Sequence, residues 1–322
     1  MLYIEIALTT LERFPALMLD KPDSTKIAIL IPSHNRNLIL NHTLSSILEA
    51  KEVCSKNNYQ VEITIIDDSS VDPIEEYPSV KLIRSDKPLG ESEAVNLGWR
   101  ETDARYVVVV SDDDPQPRDW LLKLILRATQ NPGYGVYYPS TLEVTHDGAI
   151  LKVNRAKAYD RNTFQRLLRC PVLAGALIDR EKLSGLMKIS PRINVAFPSD
   201  LIQWLRFSQQ TDFFPCPEVY SHWVRSEIQN TNYYTSNIAA SAFVESTIEW
   251  AKNEVIPLPI LIGIAGRVFQ FNSLHFYQSY KHGVQILRVI KEQHSIVRLF
   301  IELIRTAPYT VRQLITRKMY EA

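Results

Sequence analysis

Short strand-type runs alternate with helix-type patterns through the first half of the chain, and this alternation limits the fold more than any other feature. Four runs rich in β-branched residues predict strands at Lys26–Ile31, Val61–Ile66, Val80–Ile83 and Tyr106–Val110. Apolar residues at helical spacing predict helices around Leu40 to Leu48 and over Glu91 to Arg100. Strands that alternate with helices predict an α/β fold with a mostly parallel sheet flanked by helices.

Polar or acidic residues follow three of these four strands. The segments are Pro32-Ser33-His34-Asn35-Arg36, Asp67-Asp68-Ser69-Ser70 and Ser111-Asp112-Asp113-Asp114. Open parallel sheets bind ligands at the carboxyl ends of their strands, where these segments lie. We therefore expect their side chains to converge in one site.

Three adjacent carboxylates, Asp112 to Asp114, repel one another unless a cation or good hydrogen bonds compensate. Oxygen ligands of this kind select hard divalent ions such as Mg²⁺ or Mn²⁺. The alternative is a solvated loop whose aspartates cap a helix that begins near Arg118. The triplet alone leaves both interpretations open.

The second half of the chain predicts strand-type segments from Tyr134 to Asp179, with a turn at Asp147-Gly148. Ser199 is the expected N-cap of a helix that runs to about Gln209. Tyr220 to Val224 is the expected last strand, and the pattern is helical from there to the end.

Composition excludes several function classes. The 36 basic and 36 acidic residues balance to a formal charge of +0, which argues against a dedicated nucleic-acid binder. Three widely separated cysteines, Cys54, Cys170 and Cys216, indicate a reducing compartment and no zinc site. No secretory signal starts the chain, and the apolar stretch Val255 to Gly266 is too short to span a membrane. We expect a cytoplasmic protein.

Common nucleotide-binding loops are missing after the first strand. Pro32-Ser33-His34 contains no Gly-x-Gly, which argues against a nicotinamide enzyme and against a nucleotidyltransferase, and there is no Walker lysine loop.

Five ordered segments between Lys26 and Ser226 together resemble the family 2 glycosyltransferases. Ile31 to Arg36 is similar to the family's Val-Pro-Thr-Tyr-Asn-Arg, and Ile66 to Ser70 to its Val-Asp-Asp-Gly-Ser. The other three segments are the glycine-to-asparagine helix (Gly90, Ala94, Asn96, Gly98), the metal-binding Asp-x-Asp segment (Asp112 to Asp114, with Asp119 and Leu121) and the acceptor-side segment (Gly175 to Arg180, Pro198-Ser199-Asp200, Arg206). Ser111 departs from the pattern, since many members have the first Asp there.

The resemblance implies a GT-A fold: a Rossmann-like, mostly parallel catalytic domain with a C-terminal helical extension. We place this domain at residues 26–228, an N-terminal extension at 1–25 and the helical region at 229–322.

The resemblance also implies roles for individual residues. Asp68, with Asp67, would hold the nucleotide base against Pro32 and Ser33, and Asn35, Arg36, Gly90 and Asn96 belong to the same donor site. Asp112 would face the ribose or the metal, and Asp113 or Asp114 would bind Mn²⁺ or Mg²⁺. His222 stands where some members have a histidine that reaches the metal or diphosphate; its alternative is a hydrogen-bonded structural role. Asp200 would be the catalytic base, or else a carboxylate that favours the helix N-terminus. Trp204 either stacks on a sugar or belongs to the core.

The expected activity is an inverting, metal-dependent, non-processive transfer of one sugar. The donor would be a nucleotide-diphosphate sugar, UDP-linked by expectation, and the acceptor a glycan, a lipid-linked glycan or a protein. The alternative is a catalytically silent relative that serves as a binding or assembly subunit.

The C-terminal segment Lys281 to Ala322 is basic, with eight basic and three acidic residues. Apolar Ile296, Leu299, Phe300, Leu303 and Ile304 recur there at helical spacing. Such a helix fits peripheral contact with the inner membrane face. Its alternatives are packing on the catalytic domain or on a second subunit of a homodimer.

Overall fold

A computed structural model describes residues 25–183, 196–225, 244–245, 247–248, 250–252, 254–271 and 276–295. Within these ranges, the side chains of residues 196–200, 267–271 and 276–283 are outside the description.

The described residues form one eight-stranded mixed sheet. Its strands are β1 (Lys26–Ser33), β2 (Gln60–Asp67), β3 (Lys81–Arg84), β4 (Tyr106–Val109), β5 (Val136–Val144), β6 (Ile150–Asn154), β7 (Leu177–Asp179) and β8 (Phe213–Val224). They follow the order β3-β2-β1-β4-β7-β5-β6, with β8 beside β5. Parallel pairing joins β1 to β2 and β4, β2 to β3, and β5 to β8, whereas β6 and β7 pair antiparallel with their neighbours. The predicted α/β class with a mostly parallel sheet is confirmed.

Helices cover both faces of the sheet. They are α1 (Asn37–Lys56), α2 (Glu91–Arg100), α3 (Trp120–Gln130), α4 (Arg161–Leu167), α5 (Ala196–Gln210), α6 (Leu258–Phe271) and α7 (Phe276–Gln293). Successive β1 side chains point to opposite faces, so Ile29 packs in the same core as Leu44 of α1, and Leu30 in the same core as Ala94 of α2. A strand buried on both faces explains the uninterrupted apolar run at Ile27 to Ile31.

The middle of the chain differs from its strand-only prediction because it also contains α4. Asp160 caps this helix, since its side chain accepts hydrogen bonds from the backbone N–H groups of Asn162 and Thr163. The helix expected to open at Ser199 begins at Ala196, so Ser199 lies inside α5 and is not its N-cap. The predicted last strand is the end of β8, which begins seven residues earlier, at Phe213.

The described C-terminal helices pack on the rest of the fold. Gly263 of α6 lies so close to α4 that an added Cβ would be 2.7 Å from the Gln165 carbonyl oxygen. Ile286 and Ile290 of α7 are buried in the same core as β1 and α2. None of the helices in the described ranges is both long and apolar enough to cross a bilayer. The basic segment from Ile296 onward lies outside the described residues, and its membrane contact stays a prediction.

Candidate functional site: the strand-end carboxylates

Ser33, the last residue of β1, joins the loops that follow β2 and β4. Its backbone carbonyl accepts a hydrogen bond from the N–H of Asp68 over 2.9 Å. Its hydroxyl donates to Oδ2 of Asp112 over 2.7 Å. Both aspartates are buried. The structure therefore brings the three predicted strand-end segments together at one edge of the sheet.

Asp67 organises the loop after β2. Its fully buried carboxylate accepts hydrogen bonds from the backbone N–H of Ser70 at 2.8 Å and of Ile74 at 3.4 Å, and it forms an ion pair with Arg84. Burial opposes its ionisation, but the hydrogen bonds from Ser70, Ile74 and Arg84 outweigh burial and lower the pKa of Asp67. Asp67 therefore holds the loop after β2 in place, and its contact with a nucleotide base stays a prediction.

Asp68, the next residue, connects the loop after β2 to the start of α2. Its carboxylate accepts from the N–H of Leu89 at 2.6 Å and of Gly90 at 2.8 Å, and from the hydroxyl of Ser85 at 3.2 Å. Gly90 has a φ of 84°, a left-handed conformation that glycine adopts without strain. A carboxylate has about four acceptor positions, so Asp68 retains capacity for a ligand donor such as a base N–H.

Asp112 and Asp113 share one guanidinium nitrogen. Nη1 of Arg36 lies 3.0 Å from Oδ1 of Asp112 and 3.1 Å from Oδ2 of Asp113. Burial raises the pKa of Asp112, and Arg36 and Ser33 oppose only part of that shift. The two carboxylates thus converge on a single centre of positive charge.

Asp114 faces β8. Its carboxylate accepts from the N–H of Val224 at 2.7 Å, and burial, reinforced by Asp113, raises its pKa well above the usual value. Gln116 completes this connection, because its amide donates to the His222 carbonyl and accepts from the His222 N–H, both over 3.1 Å. The loop after β4 is therefore fastened to the end of β8.

His222 makes a side-chain hydrogen bond to the same loop. Its Nδ1 lies 3.0 Å from the carbonyl oxygen of Pro115, and burial lowers its pKa. A carbonyl oxygen only accepts, so Nδ1 carries the proton and the lone pair lies on Nε2. This tautomer combines the two roles left open for His222: it is hydrogen-bonded, and it retains a nitrogen able to ligate a cation.

The donor set fits a divalent cation that is shared with a phosphate ligand. Among the described residues, no three or more His, Cys, Asp or Glu side chains form a ready metal-binding group. Magnesium-type ions need only one or two protein carboxylates when phosphates and water supply the rest. Asp112 and Asp113, whose carboxylates both contact Arg36 Nη1, fit this requirement.

The remaining predicted residues lie in different settings. Pro32 is buried within β1 beside Ile66. Asn35 bridges the loops after β1 and β2, since its N–H donates to Ser70 Oγ and its side chain accepts from Val71 N–H. Asn96 is buried within α2, where its amide donates to Glu93 over 3.1 Å.

On the acceptor side, Trp204 meets Phe207 and Phe213 edge to face, which supports its core interpretation. Asp200 lies in the first turns of α5, and its side chain is outside the described residues. Its catalytic role stays a prediction.

Sequence reasoning missed two residues that hold the site. Arg84 lies opposite Asp67 in the register of β2 and β3. The sequence does contain a signal for this ion pair, because oppositely charged residues end two strands that are predicted to be parallel. Gln116 lies two residues after the aspartate triplet, and nothing local in the sequence indicates that it binds β8 over 100 residues away.

Fold and site together define a Rossmann-like α/β domain of the GT-A type, with carboxylates gathered at the carboxyl ends of its strands. Residues 28–184 match the family model described as Glycosyl transferase family 2. This segment, just under half of the chain, is a glycosyltransferase family 2 domain.

Curated relatives that match part of the chain are also named as glycosyltransferases. An uncharacterized glycosyltransferase of Rickettsia felis is 26% identical over 155 residues, which are 46% of this chain and 25% of that protein. One of Haemophilus influenzae is 28% identical over 131 residues, which are 38% of this chain and 41% of that protein. The matched segment thus spans only about a quarter to two fifths of these relatives' lengths.

Two solved structures share the fold. TarS residues 1–349 of S. aureus, in complex with UDP-GlcNAc, has a TM-score of 0.60 at 12% identity, over 82% of this chain and 81% of that chain. The mannosyltransferase PcManGT of Pyrobaculum calidifontis, in complex with GDP-Man and Mn²⁺, has a TM-score of 0.53 at 16% identity, over 99% of this chain and 91% of that chain.

Proposed function

We propose that this protein is an inverting, divalent-metal-dependent, non-processive glycosyltransferase. It moves one sugar from a nucleotide-diphosphate donor, with UDP-sugars as the favoured class, to a hydroxyl of a glycan, a lipid-linked glycan or a protein. The observation that carries the proposal is the position of Ser33 between the Asp68 carboxylate on one side and the Asp112–Asp113 pair on the other.

The donor lies across this edge of the sheet in the proposal. Asp68 accepts a hydrogen bond from the base, and the N-termini of α1 and α2 contribute positive ends of helix dipoles near the diphosphate. Asp112 and Asp113 would hold Mn²⁺ or Mg²⁺ together with the diphosphate, and His222 Nε2 is a further candidate ligand. The bound ion supplies Lewis-acid stabilisation of the charge that develops on the leaving diphosphate.

The transfer is a single displacement. The acceptor oxygen forms a bond to the anomeric carbon, while the bond from that carbon to the diphosphate oxygen breaks and its electron pair leaves with the nucleoside diphosphate. Asp200 takes the proton of the acceptor hydroxyl late in the reaction, because its reference pKa of about 3.9 makes it a weak base. One attack by the acceptor inverts the anomeric configuration.

The test compares donor turnover in three proteins. Wild type, Asp113→Asn and Asp200→Asn are incubated with UDP-sugars and Mn²⁺, and release of UDP is followed with and without candidate acceptors. We expect Asp200→Asn to lose at least about a hundredfold in rate, as removal of an acid–base group typically does. Asp113→Asn should also lose activity, because it removes a ligand of the ion that would stabilise the leaving diphosphate. Retention of wild-type rates by both variants would show that the site is wrongly assigned.

If the protein is instead a catalytically silent binding subunit, a different result is expected. It requires nucleotide sugars to bind wild type without any release of UDP, with or without Mn²⁺. The partner of such a subunit would be recognised outside this site, and no contact among the described residues favours a binding role over catalysis.

A further inference from the structure

The Arg36 guanidinium occupies the oxygens that the proposed divalent cation needs. One nitrogen, Nη1, contacts both Asp112 and Asp113 at 3.0 and 3.1 Å. The second oxygen of Asp112 is already taken by the hydroxyl of Ser33. Arg36 is 23% exposed, whereas the side chains of Asp112 and Asp113 are 7% and 12% exposed, so the arginine covers the carboxylates from the solvent side.

The backbone at Arg36 is held firmly while its side chain is long and unbranched up to the guanidinium. The preceding residue, Asn35, has a φ of 58° and is hydrogen-bonded to Ser70 and Val71 of the neighbouring loop. Arg36 is the N-cap residue of α1, but its side chain makes no capping hydrogen bond to the helix. The guanidinium can therefore leave the carboxylates by side-chain rotation, without movement of β1 or α1.

A guanidinium and a divalent ion cannot share these oxygens. Two cations held within a few ångströms of each other repel at the effective dielectric near a protein surface, and a divalent ion doubles that repulsion. A diphosphate offers arginine a new partner, because planar guanidinium groups bind phosphate oxygens with two parallel hydrogen bonds.

We propose that Arg36 is a displaceable countercharge that couples metal binding to donor binding. Without donor it neutralises Asp112 and Asp113, and with donor it moves to the diphosphate and leaves the two carboxylates to the metal. This inference rests on the proposed function, since it assumes a nucleotide-diphosphate ligand at this edge of the sheet. Reciprocity follows: nucleotide strengthens metal binding by the same factor as metal strengthens nucleotide binding.

The experiment measures Mn²⁺ affinity directly, by electron paramagnetic resonance of free Mn²⁺ in titrations of the full chain. Each protein is titrated alone and with saturating UDP. Wild type is compared with Arg36→Gln and with Arg118→Gln, a control that removes the same charge from the loop of the aspartates at an exposed position. Asp113→Asn identifies the site by abolishing the Mn²⁺ binding measured in the other proteins.

We expect Arg36→Gln to bind Mn²⁺ about tenfold more tightly than wild type in the absence of UDP, within the usual range of coupling between sites. We expect UDP to strengthen Mn²⁺ binding about tenfold in wild type and in Arg118→Gln, and much less in Arg36→Gln. Equal or weaker Mn²⁺ binding by folded Arg36→Gln overturns the proposal, as does the absence of Mn²⁺ binding from all proteins under both conditions.

A second measurement on wild type covers the case in which Arg36→Gln does not fold. The Nε–Hε resonance of Arg36, assigned with Arg36→Lys, should shift when Mg²⁺ and UDP are added together. An unchanged resonance in the presence of bound UDP overturns the proposal. If UDP release depends on Asp113 and Asp200 but Arg36 does not affect Mn²⁺ affinity, this inference fails while the proposed function stands.

Discussion

Ser33 donates its hydroxyl hydrogen to Oδ2 of Asp112 over 2.7 Å, while its carbonyl accepts from the N–H of Asp68. One residue at the end of a central strand thus fixes the spacing between a carboxylate suited to a nucleotide base and a pair of carboxylates suited to a metal and a diphosphate. The proposed donor site depends on this spacing.

Substitution Ser33→Ala tests that dependence. A hydrogen bond to a charged group contributes about 1.5–3 kcal/mol, so we expect the affinity for UDP with Mn²⁺ to fall by about tenfold or more. Isothermal titration calorimetry measures this affinity. Ser45→Ala, on the exposed side of α1, is the matched control and should bind like wild type. If Ser33→Ala bound UDP with unchanged affinity, the hydrogen bond from Ser33 to Asp112 would play no part in donor binding.

Asp67 should make stability depend on pH in the acid range. The pKa of its carboxyl is lowered in the folded protein, so its stabilising effect is complete above the ordinary value near 3.8 and is lost as the pH falls through the lower, folded-state pKa. At pH 7, Asp67→Asn should reduce the free energy of unfolding by about 1–3 kcal/mol, because a buried hydrogen-bond acceptor for Arg84 is lost.

Urea unfolding at pH 7 and pH 3 measures this effect, and the difference between Asp67→Asn and wild type should shrink at pH 3. Asp86→Asn, at an exposed position after β3, should change the free energy of unfolding by less than about 0.5 kcal/mol. A difference between Asp67→Asn and wild type that grows at low pH would contradict the assigned sign.

His222 should stay neutral at physiological pH. Burial lowers its pKa below the ordinary value of 6.5 despite the hydrogen bond to Pro115, so the neutral imidazole with its lone pair on Nε2 predominates at pH 7. Nuclear magnetic resonance titration of the imidazole, assigned by comparison with His222→Gln, should give a midpoint below 6.5. A midpoint above 6.5 would contradict the assigned direction and show that burial does not dominate the pKa of His222.

Close packing between α4 and α6 predicts that Gly263→Ala is destabilising. Its Cβ would approach the backbone carbonyls of Gln165 and Arg166 at 2.7 and 2.8 Å, and these atoms cannot move without shifting α4. We expect a loss of about 1–3 kcal/mol in the free energy of unfolding. Gly266→Ala lies in the same helix with nothing within 4 Å and should stabilise by up to about 1 kcal/mol. Equal effects of both substitutions would mean that α6 does not pack against α4.

Local sequence patterns predicted the helices and strands in which the spacing of apolar residues matches the residues that are buried. The helix expected at Glu91 to Arg100 has those bounds, and the strands expected at Lys26 and Tyr106 begin at those residues. The start of β8 was missed because Pro215 and Pro217 argue against a strand. In the described structure, β8 pairs only with β5, and an edge strand tolerates proline because one side needs no N–H donors.

The location of the candidate site could be predicted from the sequence, but most of its side-chain contacts could not. The strand rule gathers Asp68 and Asp112 at one edge without any knowledge of side-chain geometry. It does not reveal that Arg36 covers Asp112, because that pair forms between two loops 76 residues apart in the sequence. The Arg84–Asp67 ion pair needs, in addition, the register of β2 and β3.

Thermal unfolding with a panel of nucleotides and nucleotide sugars tests the central claim most directly. A ligand that binds only the native state raises the Tm, so at least one nucleoside diphosphate or its sugar should raise the Tm of wild type in Mn²⁺. The shift should shrink without Mn²⁺ and in Asp113→Asn, whereas the corresponding nucleoside should have little effect. A Tm that none of the nucleoside diphosphates or nucleotide sugars raises would contradict the proposal that this sheet edge binds a sugar donor.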